Sequence, residues 1–376
     1  MRTVNLRLVF VLLVLVAGAA RQIAQEHRPS VLRPGLRLHA YVANTGDGTL
    51  TVVDLVGLAA VATVAVGPAP SGLRAHPTHD EIWGVSTAGG YAWVLDARTN
   101  RVAAQIPVGA APFALDFSPD GSRAYIAASG AGSVVAIDCA RRQVVARVQP
   151  GRRPWIARVT PDGRTVLVAD RDQATLLLLN ATTLATRARI PVLPQPEHIV
   201  VLPDSSKAFV ASSRTARVSA VQLEPPALLA HLPLGGSRDA GPADLVLKLD
   251  GGELYAPAPG THGLTIFNTW TNEPADFLLL GHGPARGAIT ADGKSLYITD
   301  SAAGRVTPIG LDFRQVFPPI PAGRQPGIVR FTPGEDLLLV VNEGSNDLAV
   351  IRPRVRTLQT LIPVGPRPRD LAVKLF

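Results

Sequence analysis

Short apolar runs separated by turn residues follow one another along most of this chain. Residues 108–149 contain four such runs, and Gly, Pro, Ser and Asp lie between them. The runs are rich in β-branched and aromatic residues, so they predict a four-stranded antiparallel meander. Such a sheet cannot bury both of its faces alone, and copies of it must therefore pack on each side. The predicted strands cover residues 113–117, 124–128, 134–137 and 144–148.

The copies are visible as two ladders of residues with a period of 42. One ladder is a proline, with a single spacing of 46 that marks an insertion, and the other is an aromatic residue or leucine. The chain is therefore predicted to be a tandem repeat of one sheet unit. The prolines are Pro70, Pro112, Pro154, Pro196, Pro242, Pro284, Pro326 and Pro368. The second ladder is Tyr41, Trp83, Tyr125, Leu167, Phe209, Tyr255, Tyr297 and Leu339.

The two ends of the repeat region complement each other. The last copy stops at its thirteenth position, Phe376, and the first copy lacks its first 13 positions and starts near Arg37. The region spans 340 residues, which equals eight repeats of 42 plus the insertion of 4. We therefore predict an all-β fold, an eight-bladed β-propeller of four-stranded antiparallel blades, with seven blades as the alternative. The shared blade combines residues 370–375 with residues 38–42, 50–54 and 60–66.

The strand and turn residues of two copies carry a known motif. One copy has Tyr41-Val42-Ala43-Asn44, followed by GTLTVVD at residues 48–54 and VAVG at residues 64–67. Another has VNEGSNDLAVI at residues 341–351. This pattern resembles the YVTN-type β-propeller repeat of YncE-like periplasmic proteins and surface-layer proteins. The resemblance covers residues 37–376 and implies the fold, because its motif residues belong to turns and to the core.

The first twenty residues have the pattern of a secretory signal peptide. Arg2 and Arg7 precede an apolar stretch at residues 8–20, which is shorter than the ~20 residues that span a bilayer. We predict a signal peptide at residues 1–19, a linker at 20–36 and one propeller domain at 37–376. The expected location is periplasmic or secreted; an uncleaved N-terminal membrane anchor, facing outside the cytoplasm, is the alternative.

The composition of the chain excludes several kinds of site but does not identify a reaction. The net charge of +8 favours an anionic partner, but nucleic acid is not favoured because aromatic and basic residues are not interleaved. Cys139 is the only cysteine, which excludes a Cys-x-x-Cys-His haem site and a cysteine-based zinc site. The eight histidines lack metal-binding spacing. We predict no cofactor, no metal site and no catalytic residue set, and we expect a monomer.

The residues that follow each ladder proline are the candidates for function. They differ between copies, although they occupy the same loop face at the predicted mouth of the central channel. Several copies have arginine or another ionisable or aromatic group where others have small residues. Arginines gathered at a concave mouth bind carboxylate or phosphate, and a neighbouring Trp offers a flat surface. The candidate ligand-binding residues are Arg153, Trp155, Glu197, His198, Asp244, Arg286, Arg324, Arg367, Arg369 and Asp370.

Two classes of function remain open from the sequence. The favoured one is an exported, non-catalytic propeller that binds a protein, glycan or other envelope ligand through this loop face, with an unknown protein or an anionic envelope ligand as the expected partner. The alternative is an enzyme, such as a lyase, hydrolase or oxidoreductase, with His198, Glu197, Asp244 and Arg286 around the channel. The sequence does not identify the ligand or partner.

Overall fold

A computed structural model describes residues 36–236 and 241–376. The predicted signal peptide and most of the predicted linker lie outside the described residues, as do the loop residues Arg238 and Asp239. Residues 38–376 form one compact unit, which is the propeller. No helix within the described ranges is both long enough and apolar enough to cross a membrane.

The described residues form eight antiparallel sheets arranged as the blades of a β-propeller, which confirms the predicted fold and blade number. We number the blades from the one that contains the first strand. Blade 1 consists of β33 (Pro368–Leu375), β1 (Leu38–Asn44), β2 (Thr49–Asp54) and β3 (Ala59–Ala65). Blade 2 consists of β4 (Pro70–Ala75), β5 (Glu81–Ser86), β6 (Tyr91–Asp96) and β7 (Arg101–Pro107). Blade 3 consists of β8 (Pro112–Phe117), β9 (Arg123–Ala128), β10 (Ser133–Asp138) and β11 (Gln143–Val148). Blade 4 consists of β12 (Pro154–Val159), β13 (Thr165–Asp170), β14 (Thr175–Asn180) and β15 (Thr186–Pro191).

The remaining blades follow the same order, with the first strand innermost. Short 3-10 turns at Ser129–Ala131 and Pro259–Thr261 precede the third strands of blades 3 and 6. Blade 5 consists of β16 (Pro196–Val201), β17 (Lys207–Ser212), β18 (Arg217–Leu223) and β19 (Pro226–Pro233). Blade 6 consists of β20 (Val246–Leu247), β21 (Glu253–Ala258), β22 (Gly263–Asn268) and β23 (Glu273–Leu279). Blade 7 consists of β24 (Pro284–Ile289), β25 (Ser295–Asp300), β26 (Arg305–Gly310), β27 (Gln315–Val316) and β28 (Ile320–Pro321). Blade 8 consists of β29 (Pro326–Phe331), β30 (Leu338–Asn342), β31 (Asp347–Arg352) and β32 (Thr357–Pro363).

Pairing of the two ends of the chain closes the ring, as the sequence predicts. β33 runs antiparallel to β1, and the pairing extends from Leu38 opposite Leu375 to Asn44 opposite Pro368. The ladder is longer than the predicted strand at residues 370–375, because it begins at the ladder proline. This pairing leaves β1 with a neighbour on both sides, so blade 1 has four strands, as six of the other blades do.

The aromatic ladder lies between blades and connects them. Tyr41, Trp83 and Phe209 are fully buried, and each packs with residues of an adjacent blade. Some of the tyrosine hydroxyls also donate across the blade boundary: Tyr125 to the carbonyl of Ala181 over 2.7 Å, and Tyr297 to that of Pro353 over 2.9 Å. A buried tyrosine thus supplies apolar area and a satisfied hydroxyl at the same position.

Asx side chains at the ends of the third strands hold the outer turns. Asp96 Oδ1 accepts from the amides of Arg98 and Thr99, at 2.9 and 2.8 Å, and Asn180 Oδ1 accepts from two turn amides in the same way. These local bonds satisfy turn amides that have no partner in the sheet. Cys139, at the corresponding turn of blade 3, is buried, and burial raises the pKa of its thiol to about 12. A thiol with that pKa is inert at neutral pH.

The closing strand can be tested by deletion. Removing residues 364–376 takes away β33 and exposes the edge of β1, so we expect aggregation or a fall in Tm of roughly 10 °C or more. Differential scanning calorimetry of the full chain and the deletion measures this. Removing residues 1–19 instead, which precede the propeller, should leave its transition unchanged. An unaltered Tm after the C-terminal deletion would contradict closure by β33.

Candidate functional site

The innermost strands line the central channel, and their pairing is irregular at one end. In β16 the register shifts between Pro196 and His198, and in β24 it shifts between Pro284 and Gly287. A β-bulge of this kind inserts a residue into one strand and changes the direction of the side chains beside it. The bulges therefore fall on the positions that the sequence singled out, directly after the ladder prolines.

Three of the candidate residues, from three successive blades, form one contact cluster. Arg286 Nη1 donates to His198 Nε2 over 2.6 Å and to the carbonyl of Ala243 over 2.7 Å. Asp244 Oδ1 lies 3.3 Å from His198 Nδ1 and 3.7 Å from Arg286 Nη1. Because a guanidinium can only donate, His198 accepts at Nε2 and carries its proton on Nδ1. His198 is thus a neutral link between a carboxylate and a guanidinium.

The surroundings of His198 hold it in the neutral form. Burial lowers the pKa of its imidazole to about 4, the charges of Arg286, Arg158 and Arg74 act in the same direction, and Asp244 opposes them. Protonation would place another cation among these guanidinium groups in a site with little solvent. His198 therefore stays uncharged across the physiological pH range.

Aspartates of the inner strands also bind the adjacent blade. Asp370 Oδ2 accepts from the amide of Leu73 over 2.8 Å, and Asp116 Oδ2 accepts from that of Val159 over 3.0 Å.

A third aspartate makes the same kind of bond between blades 6 and 7. Asp244 Oδ2 accepts from the amide of Gly287 over 3.2 Å. In each case the acceptor belongs to one blade and the donor lies on the inner strand of the next blade. These bonds connect blades around the channel, where no backbone ladder joins one sheet to another.

Ionisable side chains from all eight described blades meet in the channel, and we call this set the channel ring. Burial lowers the pKa of Arg158 to about 10, Arg74 and Arg330 lower it further, and Asp116 and Asp370 raise it, so these charges face one another. Four arginines and three aspartates, with a neutral histidine, give the ring a net charge of +1. Its members are Arg74, Asp116, Arg158, His198, Asp244, Arg286, Arg330 and Asp370.

Two arginines of the channel ring donate to backbone carbonyls, and a third lies near a carboxylate. Arg74 Nη1 and Arg158 Nη1 donate to carbonyls of their own strands, at 2.9 and 3.3 Å. Arg330 Nη2 lies 3.7 Å from Asp370 Oδ1, and Arg330 Nε has no hydrogen-bond partner among the described residues. The Arg330 side chain is 37% exposed. The wall of the channel thus has more guanidinium groups than carboxylates and carries a net positive charge.

Trp155 belongs to an aromatic stack at the mouth. Its ring lies parallel to that of Phe113, with centroids 4.4 Å apart, and the Arg171 guanidinium covers it at 4.2 Å. Arg153 is more distant, 6.0 Å from the Trp155 centroid, and its Nη1 lies 3.8 Å from Asp172 Oδ1. Phe113 remains exposed, so the stack of Phe113, Trp155 and Arg171 offers a flat apolar surface beside the channel.

Two other candidates are engaged in ion pairs with loop residues. Glu197 pairs with Arg171 and so fixes the guanidinium that covers Trp155. Arg369 donates to Glu343 Oε1 through Nη2 over 2.7 Å, at the exposed rim. Neither side chain joins the channel ring, so their predicted contact with a ligand stays a prediction.

Arg324 and Arg367 lie on exposed loops of the same face. The amide of Arg324 donates to Ser345 Oγ over 3.0 Å, and that of Arg367 donates to Asn346 Oδ1 over 2.9 Å. Arg367 has a φ of 51°, in the left-handed region, and its carbonyl accepts from Thr45. The backbone of these residues shapes the loops, while their side chains remain available at the rim.

Sequence reasoning missed four members of the channel ring, although a signal for them existed. Arg74, Asp116 and Arg158 are spaced by 42 residues, and Arg330 occupies the same repeat position in blade 8. This position lies two residues beyond the candidate position in the same strand, and side chains two apart share a face. A charged residue two positions beyond the candidate position, in an otherwise apolar inner strand, therefore predicts a side chain that faces the channel. Arg171 and Phe113 were also missed as parts of the stack.

In the part of the chain that the structure describes, no group of three or more His, Cys, Asp and Glu side chains is arranged to hold a metal ion. The channel ring contains a single histidine, and its aspartates are occupied by amides and arginines. The absence of a metal or cofactor from the functional protein remains a prediction.

Comparison with known proteins identifies the fold class. No family model matches the chain, and no curated protein matches it either. Among solved structures, the dihydro-haem d1 dehydrogenase NirN in complex with DHE is similar with a TM-score of 0.73 and 18% identity over 89% of this chain and 74% of that one. AztD from Citrobacter koseri has a TM-score of 0.70 and 10% identity over 91% and 98%. Kuenenia stuttgartiensis hydrazine synthase has a TM-score of 0.61 and 20% identity over 75% and 95%. The TM-scores show a shared β-propeller fold. At these low sequence identities the similarity shows the fold alone.

The state of His198 predicts a pH dependence of stability. Its pKa is lower in the folded chain than in the unfolded one, so the unfolded state binds more protons between pH 6.5 and about 4. The free energy of unfolding should therefore fall as the pH falls through this window, by on the order of 2 kcal/mol from this residue. H198Q keeps a donor and an acceptor but does not titrate, and it should lose that part of the slope.

Urea denaturation at a series of pH values measures the effect. H282Q removes an exposed histidine of the same loop face and serves as the matched control. Equal slopes for wild-type protein and H198Q would show that His198 is not held neutral by the channel ring.

Proposed function

We propose that this protein is a non-catalytic β-propeller that binds an anionic ligand at the mouth of its central channel. The single observation that carries the proposal is the channel ring itself, in which four guanidinium groups and three carboxylates leave a net charge of +1. Arginine recognises carboxylate and phosphate through paired N–H donors, and such bonds are stronger where water is scarce. The net positive ring attracts anions electrostatically before any contact is made.

The shape of the mouth favours a ligand that also has a flat group. The stack of Phe113, Trp155 and Arg171 lies on blades 3 and 4. On the other side of the mouth, the residues that follow the ladder prolines of blades 6 to 8 are small and leave space for a ligand. They are Ala243, Ala285 and Gly327. A planar ring stacked on Phe113 would hold its acidic substituents over the channel ring. The proposed ligand class is therefore a flat organic acid or phosphate.

Variants of the channel ring test this proposal. The probes are inorganic phosphate and the flat tricarboxylate trimesate, with binding measured by isothermal titration calorimetry at low salt. Charge-assisted hydrogen bonds contribute about 1.5–3 kcal/mol each, so R158Q/R330Q should weaken trimesate binding by about 100-fold. Trimesate should bind more tightly than phosphate, because it alone can stack on Phe113.

R324Q/R367Q removes the same charge from exposed loops and is the matched control. It should leave affinity within about threefold of wild type, because rim charges are screened by solvent and salt. Equal losses in the two double variants would indicate general electrostatic attraction instead of a channel site. Absence of saturable binding of either probe to the wild-type protein would contradict the proposal.

A second candidate function is favoured by one observation. The contact between Asp244 and His198 has the form of an oriented acid–base pair, which an enzyme could use. However, Arg286 occupies His198 Nε2, so this nitrogen reaches a substrate only if Arg286 moves away. Turnover of a bound ligand that disappears in H198Q, while the ligand still binds, would support the enzyme. Unchanged ligand after prolonged incubation supports the binding protein.

We also propose that the protein acts outside the cytoplasm and as a monomer. The predicted signal peptide at residues 1–19 supports export. Closure of the ring by β33 supports the monomer, since it removes the edge of β1 that would otherwise pair with a second chain.

Mass spectrometry of the protein purified from its host tests export. We expect a mature chain that begins near Ala20, in the periplasmic or culture fraction, because residues 17–19 form a small-residue cleavage site. An intact N-terminus in the membrane fraction would identify the anchored alternative. An intact N-terminus in a soluble cytoplasmic fraction would contradict export.

A further inference from the structure

The face opposite the channel mouth is built from the turns between first and second strands and between third and fourth strands. Strand direction alternates within each blade, so all these turns lie at the same end of the propeller. β1 begins at this end, because it runs antiparallel to β33, which starts at the mouth. Leu38, where the N-terminal residues join the propeller, is thus part of this face.

Large apolar side chains project from the turn tips of four consecutive blades. Phe313 on blade 7 is 90% exposed and Trp270 on blade 6 is 65% exposed. The other members are also more than half exposed. We call this set the apolar arc, and it consists of Leu249 and Trp270 on blade 6, Phe313 on blade 7, Val355 on blade 8 and Val56 on blade 1.

The corresponding turns of the remaining blades are polar. Arg98 occupies the turn between third and fourth strands in blade 2, Arg141 in blade 3, Thr182 in blade 4 and Glu224 in blade 5. Isolated exposed apolar residues are common on protein surfaces, but a contiguous group marks a surface that contacts something. One half of this face is therefore apolar and the other half is polar.

Charge does not dominate the apolar half. Its turns in the described residues contain five basic and five acidic side chains, so their net charge is 5 − 5 = 0. Some of these charges form pairs within the face, such as Lys248 with Asp250 at 3.3 Å and Arg354 with Asp336 at 3.9 Å. A surface without net charge but with Trp, Phe, Leu and Val at protruding tips matches the interfacial region of a neutral bilayer.

The shape of the apolar arc favours a membrane over a protein partner. Its side chains lie on the turn tips of four blades, and tips of this kind suit insertion between lipid head groups better than a flat protein interface. The channel mouth would then face away from the membrane, toward solvent.

We propose that the apolar arc rests in the interfacial region of a phosphatidylcholine-like bilayer, with the channel mouth on the far side. The turn tips enter the head-group layer, while the exposed Arg354, next to Val355, keeps its guanidinium group at the surface of that layer. The proposal is independent of the ligand and concerns a different face of the protein.

Site-specific labelling of the full chain tests this contact. The variant V355C has its label on the apolar arc, and T182C has it on the equivalent turn of the polar half. Cys139 does not interfere, because it is buried and its pKa is about 12. Each variant is labelled with the fluorophore NBD and mixed with phosphatidylcholine vesicles, with and without a doxyl-labelled lipid as quencher.

The label at residue 355 should shift to the blue, brighten and be quenched by the doxyl lipid, whereas the label at 182 should not change. W270S/F313S in the V355C background should weaken vesicle partition by about tenfold without altering the melting curve, since both residues are exposed. Equal responses at 355 and 182, or no response at either, would overturn the proposal. A concentration-dependent blue shift without vesicles would assign the apolar arc to a second copy of the chain and would also overturn it.

Discussion

The pairing of β33 with β1 is the interaction on which the rest of this structure depends. Within a blade, strands are joined by backbone ladders, but adjacent blades are joined only by side chains and a few turn amides. Closing the ring with a shared blade removes the exposed edge and makes every blade a neighbour of two others. It also brings Asp370 next to Leu73 and Arg330, so the last residues of the chain complete the channel.

Polar contacts across blade boundaries explain why the channel is charged and yet stable. Asp116, Asp244 and Asp370 satisfy inner-strand amides of the next blade, and the buried aspartates are thereby hydrogen-bonded. Tyrosines of the aromatic ladder do the same farther out. Because the channel ring has three carboxylates and four guanidinium groups, the aspartates neutralise the arginines only in part. The ring therefore keeps a net positive charge that can attract an anionic ligand.

The two ends of the propeller differ in a way that suits two separate contacts. The mouth has the channel ring and the aromatic stack, whereas the opposite end has apolar tips on half of its circumference. Turns are free to vary because they lie outside the packed sheets, so each end can acquire its own chemistry on a constant framework. Ligand binding at one end and attachment at the other would leave the mouth open to solvent.

The sequence by itself determined the fold, because a period of 42 with a proline and an aromatic residue in each copy specifies a blade, and complementary ends specify closure. It also placed His198, Asp244, Arg286 and Asp370 at the channel. Only the tertiary structure decided which side chains meet, since residues such as Arg158 and Arg330 are far apart along the chain and face each other only across a closed ring. The β-bulges after the ladder prolines set the directions of the inner-strand side chains. Glu197 and Arg369 form ion pairs with loop residues and do not join the channel ring. Contacts across a channel depend on its radius and on backbone irregularities, which no repeat pattern encodes.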